Sequence, residues 1–245
     1  GIVPEHCYDE AAYGENPVGS GRYILTQWDK GQQVVLEANP DYYGDEVQMK
    51  KVIVLFMEED AALAAVKAGQ VDIAYTSAVY CDEQVDGYQL LVCKSVDSRG
   101  ISLPSIPAGS EDQGNGSALL PKKLSERLLL QPQKVNPLRR AMNYALDRQT
   151  MIDHVLNGYG EVAYSVSDNM PWSSESMIIP YDVEKAEQIL ADGGWSDTDG
   201  DGIVEKDGQK AEFTVYYSAS DSVRQALTAE FSNQMKEVGI NVLYE

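Results

Sequence analysis

The chain has 245 residues, and 19 Lys and Arg against 39 Asp and Glu give it a formal net charge of −20 at pH 7. Nucleic acids and anionic membrane surfaces both attract cationic patches, so this charge argues against either as a partner. With 43% hydrophobic residues the chain can bury a core, and its length suggests one large domain or two small ones. The longest apolar run, residues 52–57, is too short to cross a bilayer.

The first part of the chain carries the pattern of a hairpin. Residues 22–28 and 33–38 are strand-like, and Asp29-Lys30-Gly31 between them is a turn signal. We therefore expect two antiparallel strands here.

A βαβ unit is predicted next. The apolar run 52–57 lacks alternation, which is typical of a strand buried on both faces. An acidic helix start at 58–60, a short helix over 61–68 ended by Gly69, and a second strand over 71–75 follow. The two strands should be parallel, and ligands bind such units at the carboxyl ends of their strands, here Met57-Glu58 and Tyr75-Thr76-Ser77.

The middle of the chain changes character. Two short strands are expected within residues 89–103. From 104 to 137, prolines and glycines predict a long surface loop with one short helix over 122–130.

Helices dominate after residue 136. Asn136 is a suitable N-cap and Pro137 a suitable first helical residue, and an apolar stripe follows at helical spacing. A second helix should end at Gly158 and a third should start at an Asp182 cap. The helical stripe of the first consists of Leu138, Ala141, Met142, Ala145 and Leu146.

A second βαβ unit is predicted at the end of the chain. A strand over 211–217 leads through a polar loop into a long helix, and Gly239 precedes the strand 240–243. The junction 217–222 would offer free backbone N–H groups to a polar or anionic ligand.

The Asp-rich segment 197–203 resembles the start of a Ca²⁺-binding loop. Asp197, Asp199 and Asp201 occupy positions 1, 3 and 5, and Gly202 occupies position 6. Position 12 is Gly208 rather than the usual bidentate Glu, so Glu205 or Asp207 would have to replace it; the alternative is an acidic turn leading into a hairpin.

Other chemistry has little support in the sequence. Two His and three Cys without a Cys-x-x-Cys spacing do not predict a zinc site, although a Cys81–Cys93 bridge stays open. No nucleophile or phosphate-binding motif is present, and no pair among the 39 acids stands out as catalytic. We therefore expect a protein that is not an enzyme, and no cofactor other than the Ca²⁺ ion considered above.

Several stretches together resemble the family 5 extracytoplasmic solute-binding proteins of ABC importers, of the dipeptide, oligopeptide and nickel type. They are NPVGSGRY at 16–23 with LEANPDYYG at 36–44, AAVKAGQVDIA at 64–74, LRRAMNYALDR at 138–148, and the segment from Tyr181-Asp182 through Gly193-Gly194-Trp195 to Gly239-Ile240-Asn241-Val242.

The resemblance implies a fold of the type II periplasmic-binding-protein class, with two α/β lobes that close on a ligand. Residues 1–90 would form part of lobe I and 91–245 part of lobe II, both lobes being incomplete because family members are roughly twice as long. It also implies delivery of the ligand to an ABC permease in the membrane. The protein would be a monomer outside the cytoplasmic membrane, either periplasmic or anchored as a lipoprotein.

Ligand contacts are expected at a few polar and aromatic residues. The loop 217–220 carries a basic residue in dipeptide-type members but reads Tyr-Ser-Ala-Ser here, which argues against recognition of a free carboxylate by this loop. Met170-Pro171-Trp172 resembles the Pro-and-Trp loop near the ligand in the family. The expected ligand-binding residues are Trp172, Tyr217, Ser218, Ser220, Tyr75, Ser102 and Tyr164.

The resulting prediction is a binding protein for peptide or a related small polar solute. A member binding a nickel chelate and a Ca²⁺-dependent adhesion module are the alternatives.

Overall fold

The structure is a computed structural model that describes residues 4–5, 13–103, 136–168, 170–174 and 178–245. The chain divides into two compact units, Gly1–Tyr75 and Thr76–Glu245, called here the first and the second unit. The assignment of 1–90 and 91–245 to two lobes stays a prediction.

The first unit contains a three-stranded antiparallel sheet of strands β1 (Tyr23–Asp29), β2 (Gln33–Ala38) and β3 (Lys51–Leu55), in that order. The N–H of Gln32 donates to the C=O of Asp29 at 2.9 Å, and Gly31 between them has a φ of 76°, which a residue with a Cβ rarely adopts. The predicted hairpin is thereby confirmed.

The first βαβ prediction is wrong in its topology. Helix α1 (Glu59–Lys67) forms and Gly69 follows it at a φ of 67°, as expected. However, β3 pairs antiparallel with β2, and residues 71–75 do not form a strand. A strand is defined by its hydrogen-bonded neighbour, and in the described part of the chain Ile73 and Tyr75 remain 89% and 74% exposed.

The burial expected of residues 52–57 is also wrong. Residues 53–57 are between 40% and 52% exposed, both within β3 and in the two residues that follow it. In the described residues β3 is the outer strand of its sheet, so one of its edges has no neighbouring strand.

After a 3-10 turn at Ala78–Tyr80, the second unit has three α-helices, and the first and third have the caps that the sequence predicts. Helix α2 (Pro137–Ala145) is capped by Asn136, α3 (Arg148–Val155) by Asp147 and α4 (Val183–Asp192) by Asp182, each through its side-chain oxygen. The apolar face of α2 packs against α4, which confirms the predicted stripe.

The second βαβ unit is confirmed. Strand β6 (Glu212–Val215), helix α5 (Ser222–Glu237) and strand β7 (Asn241–Tyr244) follow one another, and β6 and β7 are parallel. Before them, β4 (Glu205–Lys206) and β5 (Gln209–Lys210) form the hairpin expected after the acidic turn. The main core of this unit consists of Leu138, Ala141, Met142, Ala145, Ala186, Ile189, Leu190, Trp195, Ala211, Phe213, Phe231, Met235, Val238, Ile240 and Val242.

Three further predictions concern residues 81–137, and the structure confirms none of them. Residues 89–103 form no strand, so that prediction is wrong. The predicted loop and its helix over 122–130 lie outside the described residues, because 104–135 are not described. Cys81 and Cys93 are both free thiols, so the bridge between them is not formed.

Candidate functional site

The loop between β6 and α5 presents small hydroxyl side chains. Ser218 and Ser220 are exposed, and their Oγ atoms lie 3.2 Å apart. Tyr217 before them is half-buried, with its ring centroid 6.4 Å from that of Tyr244. The loop therefore combines an aromatic edge with two hydroxyls, each of which can donate and accept.

Asp221 closes this loop and starts α5. Its Oδ1 accepts from the N–H of Arg224 at 2.8 Å, and its own N–H donates to the C=O of Ser218 at 2.9 Å. The helix N-terminus is thus already satisfied by a carboxylate, which reduces its attraction for an anionic ligand. The anion site expected from free N–H groups stays a prediction, and the capping of α5 by the Asp221 carboxylate argues against it.

The segment that contains Ser102 contacts the start of α5 next to the loop. Arg99 Nη1 is 3.5 Å from Asp221 Oδ2, and Ser98 Oγ donates to the C=O of Ser165 at 3.4 Å. Ser102 is exposed between two half-buried apolar residues that pack against the core. The structure consequently joins three of the predicted stretches on the second unit: the one around Ser102, the one after Tyr164 and the loop 217–220.

Tyr164 opens a tight turn built around Asp168. The Asp168 carboxylate accepts from the N–H groups of Tyr164 and Ser165 and from the Ser165 hydroxyl, and these bonds, led by the one from the hydroxyl, hold its pKa below the usual range. The guanidinium of Arg148 lies 5.0 Å from the centre of the Tyr164 ring. Partial burial lowers the pKa of Arg148, but its ordinary value is so high that the cation persists.

Trp172 and Tyr75 are the two predicted aromatics with the largest free surface. Trp172 is 70% exposed, in the turn that follows the Asp168 turn, and Tyr75 is 74% exposed at the end of the first unit. Both rings are therefore available for stacking.

Two hydroxyls directly after Tyr75 are buried without a hydrogen-bond partner. Ser77 is only 6% exposed, and neither its Oγ nor Thr76 Oγ1 has a partner in the described part of the chain. An unpaired buried hydroxyl costs about 1–3 kcal/mol, so water or a ligand group is expected there. Their place after a predicted strand end was the only sequence signal for them.

The Asp-rich loop brings carboxylates together, but not the three expected ones. Ligand oxygens of Asp197, Asp199 and Glu205 lie within 4.8 Å of one another, and Glu205 Oε2 is buried without a partner. Asp201 is instead paired with Lys210, whose ammonium also lies 3.1 Å from Asp199. The hydrogen bond from Lys210 lowers the pKa of Asp201, and the same contacts raise the pKa of Lys210.

Arg99, Asp221 and Asp168 were not among the predicted site residues. Asp221 could have been found as an N-cap, because it directly precedes a helical pattern. No local signal marks Arg99, since its partner lies 122 residues further along the chain.

None of the described helices has the length and hydrophobicity needed to span a bilayer.

Residues 3–245 match the family model of bacterial extracellular solute-binding proteins, family 5 Middle. The chain belongs to this family. In sequence it is 32% identical over 255 residues to Protein XP55 of Streptomyces lividans and 30% identical over 248 residues to the oligopeptide-binding protein AppA of Bacillus subtilis. These alignments cover 100% and 99% of this chain but only 42% of each relative, so the chain spans less than half of their length.

Solved structures of the family have the same fold. NikZ from Campylobacter jejuni, in complex with Ni(L-His), superimposes with a TM-score of 0.78 at 24% identity, and AppA from Bacillus subtilis, in complex with a nonapeptide, with 0.65 at 28%. Each match covers 100% of this chain and 47% of the other. The fold is therefore that of the type II periplasmic-binding-protein class, and this chain corresponds to part of that fold.

Proposed function

We propose that the protein is the extracytoplasmic solute-binding component of an ABC importer, and that its ligand is a peptide. The family match over residues 3–245 carries this proposal. It is supported by 30% sequence identity to an oligopeptide-binding protein, whose structure holds a nonapeptide.

The side chains at the candidate site suit a ligand rich in peptide groups. Ser102, Ser218 and Ser220 are exposed hydroxyls that can donate to a carbonyl or accept from an amide. Trp172 offers a flat apolar surface that tolerates many side chains. Backbone recognition by hydroxyls, combined with an adaptable aromatic surface, would bind peptides of varied sequence.

Recognition of a free carboxylate by the loop 217–220 is not part of this proposal. The loop has no Lys or Arg, and the two nearest guanidiniums, of Arg99 and Arg224, both lie against the Asp221 carboxylate, at 3.5 and 3.3 Å. A ligand carboxylate would have to compete with Asp221 for them. Peptide groups within the ligand, rather than its C-terminus, are the expected partners of this loop.

A nickel chelate is the alternative ligand within the same family, because the nickel-binding periplasmic protein of Escherichia coli is 22% identical over 238 residues. Direct ligation of nickel by imidazole has little support. The sequence has two His, of which His154 is exposed on α3 and His6 lies outside the described residues. A chelated nickel species would therefore need recognition through its organic ligand.

We also propose that the Asp-rich loop binds Ca²⁺ as a structural ion. The donors would be Asp197, Asp199 and Glu205, and the buried, unpartnered Oε2 of Glu205 is the observation that favours a cation here. Carboxylate oxygens are the ligands that Ca²⁺ prefers. This role replaces the adhesion module, for which the family match offers no support.

Neither catalysis nor a catalytic cofactor is part of the proposed function. The partners are the ligand and an ABC permease, and the protein acts as a monomer outside the cytoplasmic membrane, in the periplasm or anchored as a lipoprotein. The family description as extracellular supports the location in its general form.

Native mass spectrometry of the protein, purified without denaturation, tests the ligand. We expect bound species whose masses fit a series of peptides. A bound species with the isotope pattern of nickel would identify the chelate, not a peptide, as the ligand. A protein that carries neither and binds no added peptide would refute the proposal.

A further inference from the structure

The segment 89–103 of the second unit is held by side chains rather than by backbone pairing. Among the described residues, no backbone–backbone hydrogen bond involves this segment. Its polar links are the bonds of Lys94 to Glu161, of Ser98 to Ser165 and of Arg99 to Asp221, and the guanidinium of Arg139 donates to its last C=O at 3.2 Å. Removing one link should therefore loosen the segment without breaking a sheet.

The link through Arg99 is the ion pair best protected from solvent. The side chains of Arg99 and Asp221 are 33% and 23% exposed, against 92% and 61% for Lys94 and Glu161. Arg99 Nε is also 3.4 Å from Asp97 Oδ2, which orients the guanidinium from its own segment. Because screening by water weakens exposed pairs most, the Arg99 link should be the stronger of the two.

Asp221 connects this link to the candidate ligand loop. Its Oδ1 caps α5, its N–H closes the turn to Ser218, and its Oδ2 faces both Arg99 and Arg224. Only Arg99 brings in a distant part of the chain, because Arg224 lies three residues further along α5. Arg99 therefore ties the loop 217–220 to the segment 89–103, whereas Arg224 ties it only to its own helix.

We propose that Arg99 is a positioning residue of the ligand site. Through its contact with Asp221 it holds the loop 217–220 next to the segment around Ser102. The reference to a ligand rests on the proposed function above, whereas the coupling between the two segments does not. Arg99 touches no ligand in this role; it acts through Asp221.

Hydrogen exchange of backbone amides tests the coupling directly. In Arg99→Met we expect exchange of the hydrogen-bonded N–H groups of Tyr217 and Asp221 to rise about two- to fivefold, the range that partly exposed ion pairs produce, and cleavage within residues 97–102 by a nonspecific protease to accelerate by a similar factor. Arg224→Met is the matched control, since it removes a guanidinium from the same Asp221 oxygen with the same change in charge. It should leave cleavage within residues 97–102 unchanged. Equal effects of both variants, or no effect of Arg99→Met, would overturn the proposal.

Affinity for a synthetic nonapeptide, measured by calorimetry, tests the link to the ligand. Arg99→Met should weaken binding about two- to fivefold, and Arg99→Lys, which keeps the charge, should recover part of the loss. The loss should shrink in 1 M salt, where the Debye length falls to about 3 Å. Equal affinities of wild type and Arg99→Met would refute the positioning role, whereas a wild-type protein that binds no peptide refutes the proposed function and leaves the exchange experiment to decide the coupling.

Discussion

Gln234 on α5 pairs with both backbone groups of Asp147. Its Oε1 accepts from the N–H of Asp147 at 2.9 Å, and its Nε2 donates to the C=O of the same residue at 3.3 Å. Gln234 is 9% exposed, and Asp147 is the residue that caps α3. One buried amide thus fixes the start of α3 against α5.

Replacement of Gln234 by Ala should destabilise the second unit. It leaves the N–H of Asp147 without its partner in a poorly hydrated place, which costs about 1–3 kcal/mol, whereas the C=O of Asp147 keeps its bond from the N–H of Met151. Denaturant unfolding monitored by far-UV circular dichroism measures the loss.

Gln188→Ala is the control for this prediction. Gln188 on α4 donates to Asp192, four residues further along its helix, at 2.7 Å, but its side chain is exposed. The control should change the free energy of unfolding by less than about 0.5 kcal/mol. Similar losses in both variants would contradict the role given to the backbone of Asp147.

Gly193→Ala should destabilise the contact between α2 and α4. A Cβ at this position would lie 2.6 Å from Cβ and 2.7 Å from Cγ of Pro137, and the proline ring cannot rotate away. We expect a loss of about 1–3 kcal/mol in the free energy of unfolding, as for other overpacked sites. Gly100→Ala, where an added Cβ meets nothing within 4 Å, should be close to neutral; equal effects of the two variants would show that loss of glycine itself is responsible.

The helices of the second unit were predictable because their signals are local. Asn136, Pro137 and the stripe that follows define the start and the buried face of α2 within ten residues. Residues 71–75 have an equally good local pattern, yet form no strand, because a strand also needs a neighbour whose identity the pattern does not contain. Burial of 53–57 failed as a prediction for the same reason.

Within the candidate site, too, local features could be predicted from the sequence and side-chain pairings could not. The loop 217–220 follows from a βαβ pattern, which sequence periodicity can reveal. The pairing of Arg99 with Asp221 joins segments that are 122 residues apart, and the pairing of Lys210 with Asp201 depends on how the acidic turn folds against the hairpin that follows it. Only the three-dimensional structure contains that information.

Trp172 should contribute to ligand binding through its exposed ring. We expect Trp172→Leu to weaken binding of a synthetic nonapeptide about two- to twelvefold, which corresponds to the loss of one aromatic contact of about 0.5–1.5 kcal/mol. Calorimetry gives the affinity. Trp28→Leu, at a second partly exposed tryptophan on β1, is the control and should leave the affinity unchanged. A Trp172→Leu protein with wild-type affinity would remove Trp172 from the site.

The Asp168 turn should stabilise the protein in a pH-dependent way. Hydrogen bonds from the Ser165 hydroxyl and the Tyr164 N–H lower the pKa of Asp168 in the folded state. Its contribution should therefore be fully present above the pKa of an unfolded Asp, about 3.9, and be lost as the pH falls through the lower folded value. We expect the difference in unfolding free energy between wild type and Asp168→Asn to be constant at pH 5–7 and to shrink below pH 4. A difference that grows on acidification would contradict this assignment.

Lys210 should compete with Ca²⁺ for the Asp-rich loop. Its ammonium lies 3.1 Å from Asp199, one of the three proposed donors, and also pairs with Asp201. Lys210→Met removes this internal cation, so calorimetric titration with CaCl₂ should show tighter binding than in wild type. Asp199→Asn should abolish the heat of binding, whereas Asp201→Asn, outside the group Asp197, Asp199 and Glu205, should retain it. No heat at millimolar Ca²⁺ in either wild type or Lys210→Met would refute the proposed Ca²⁺ site.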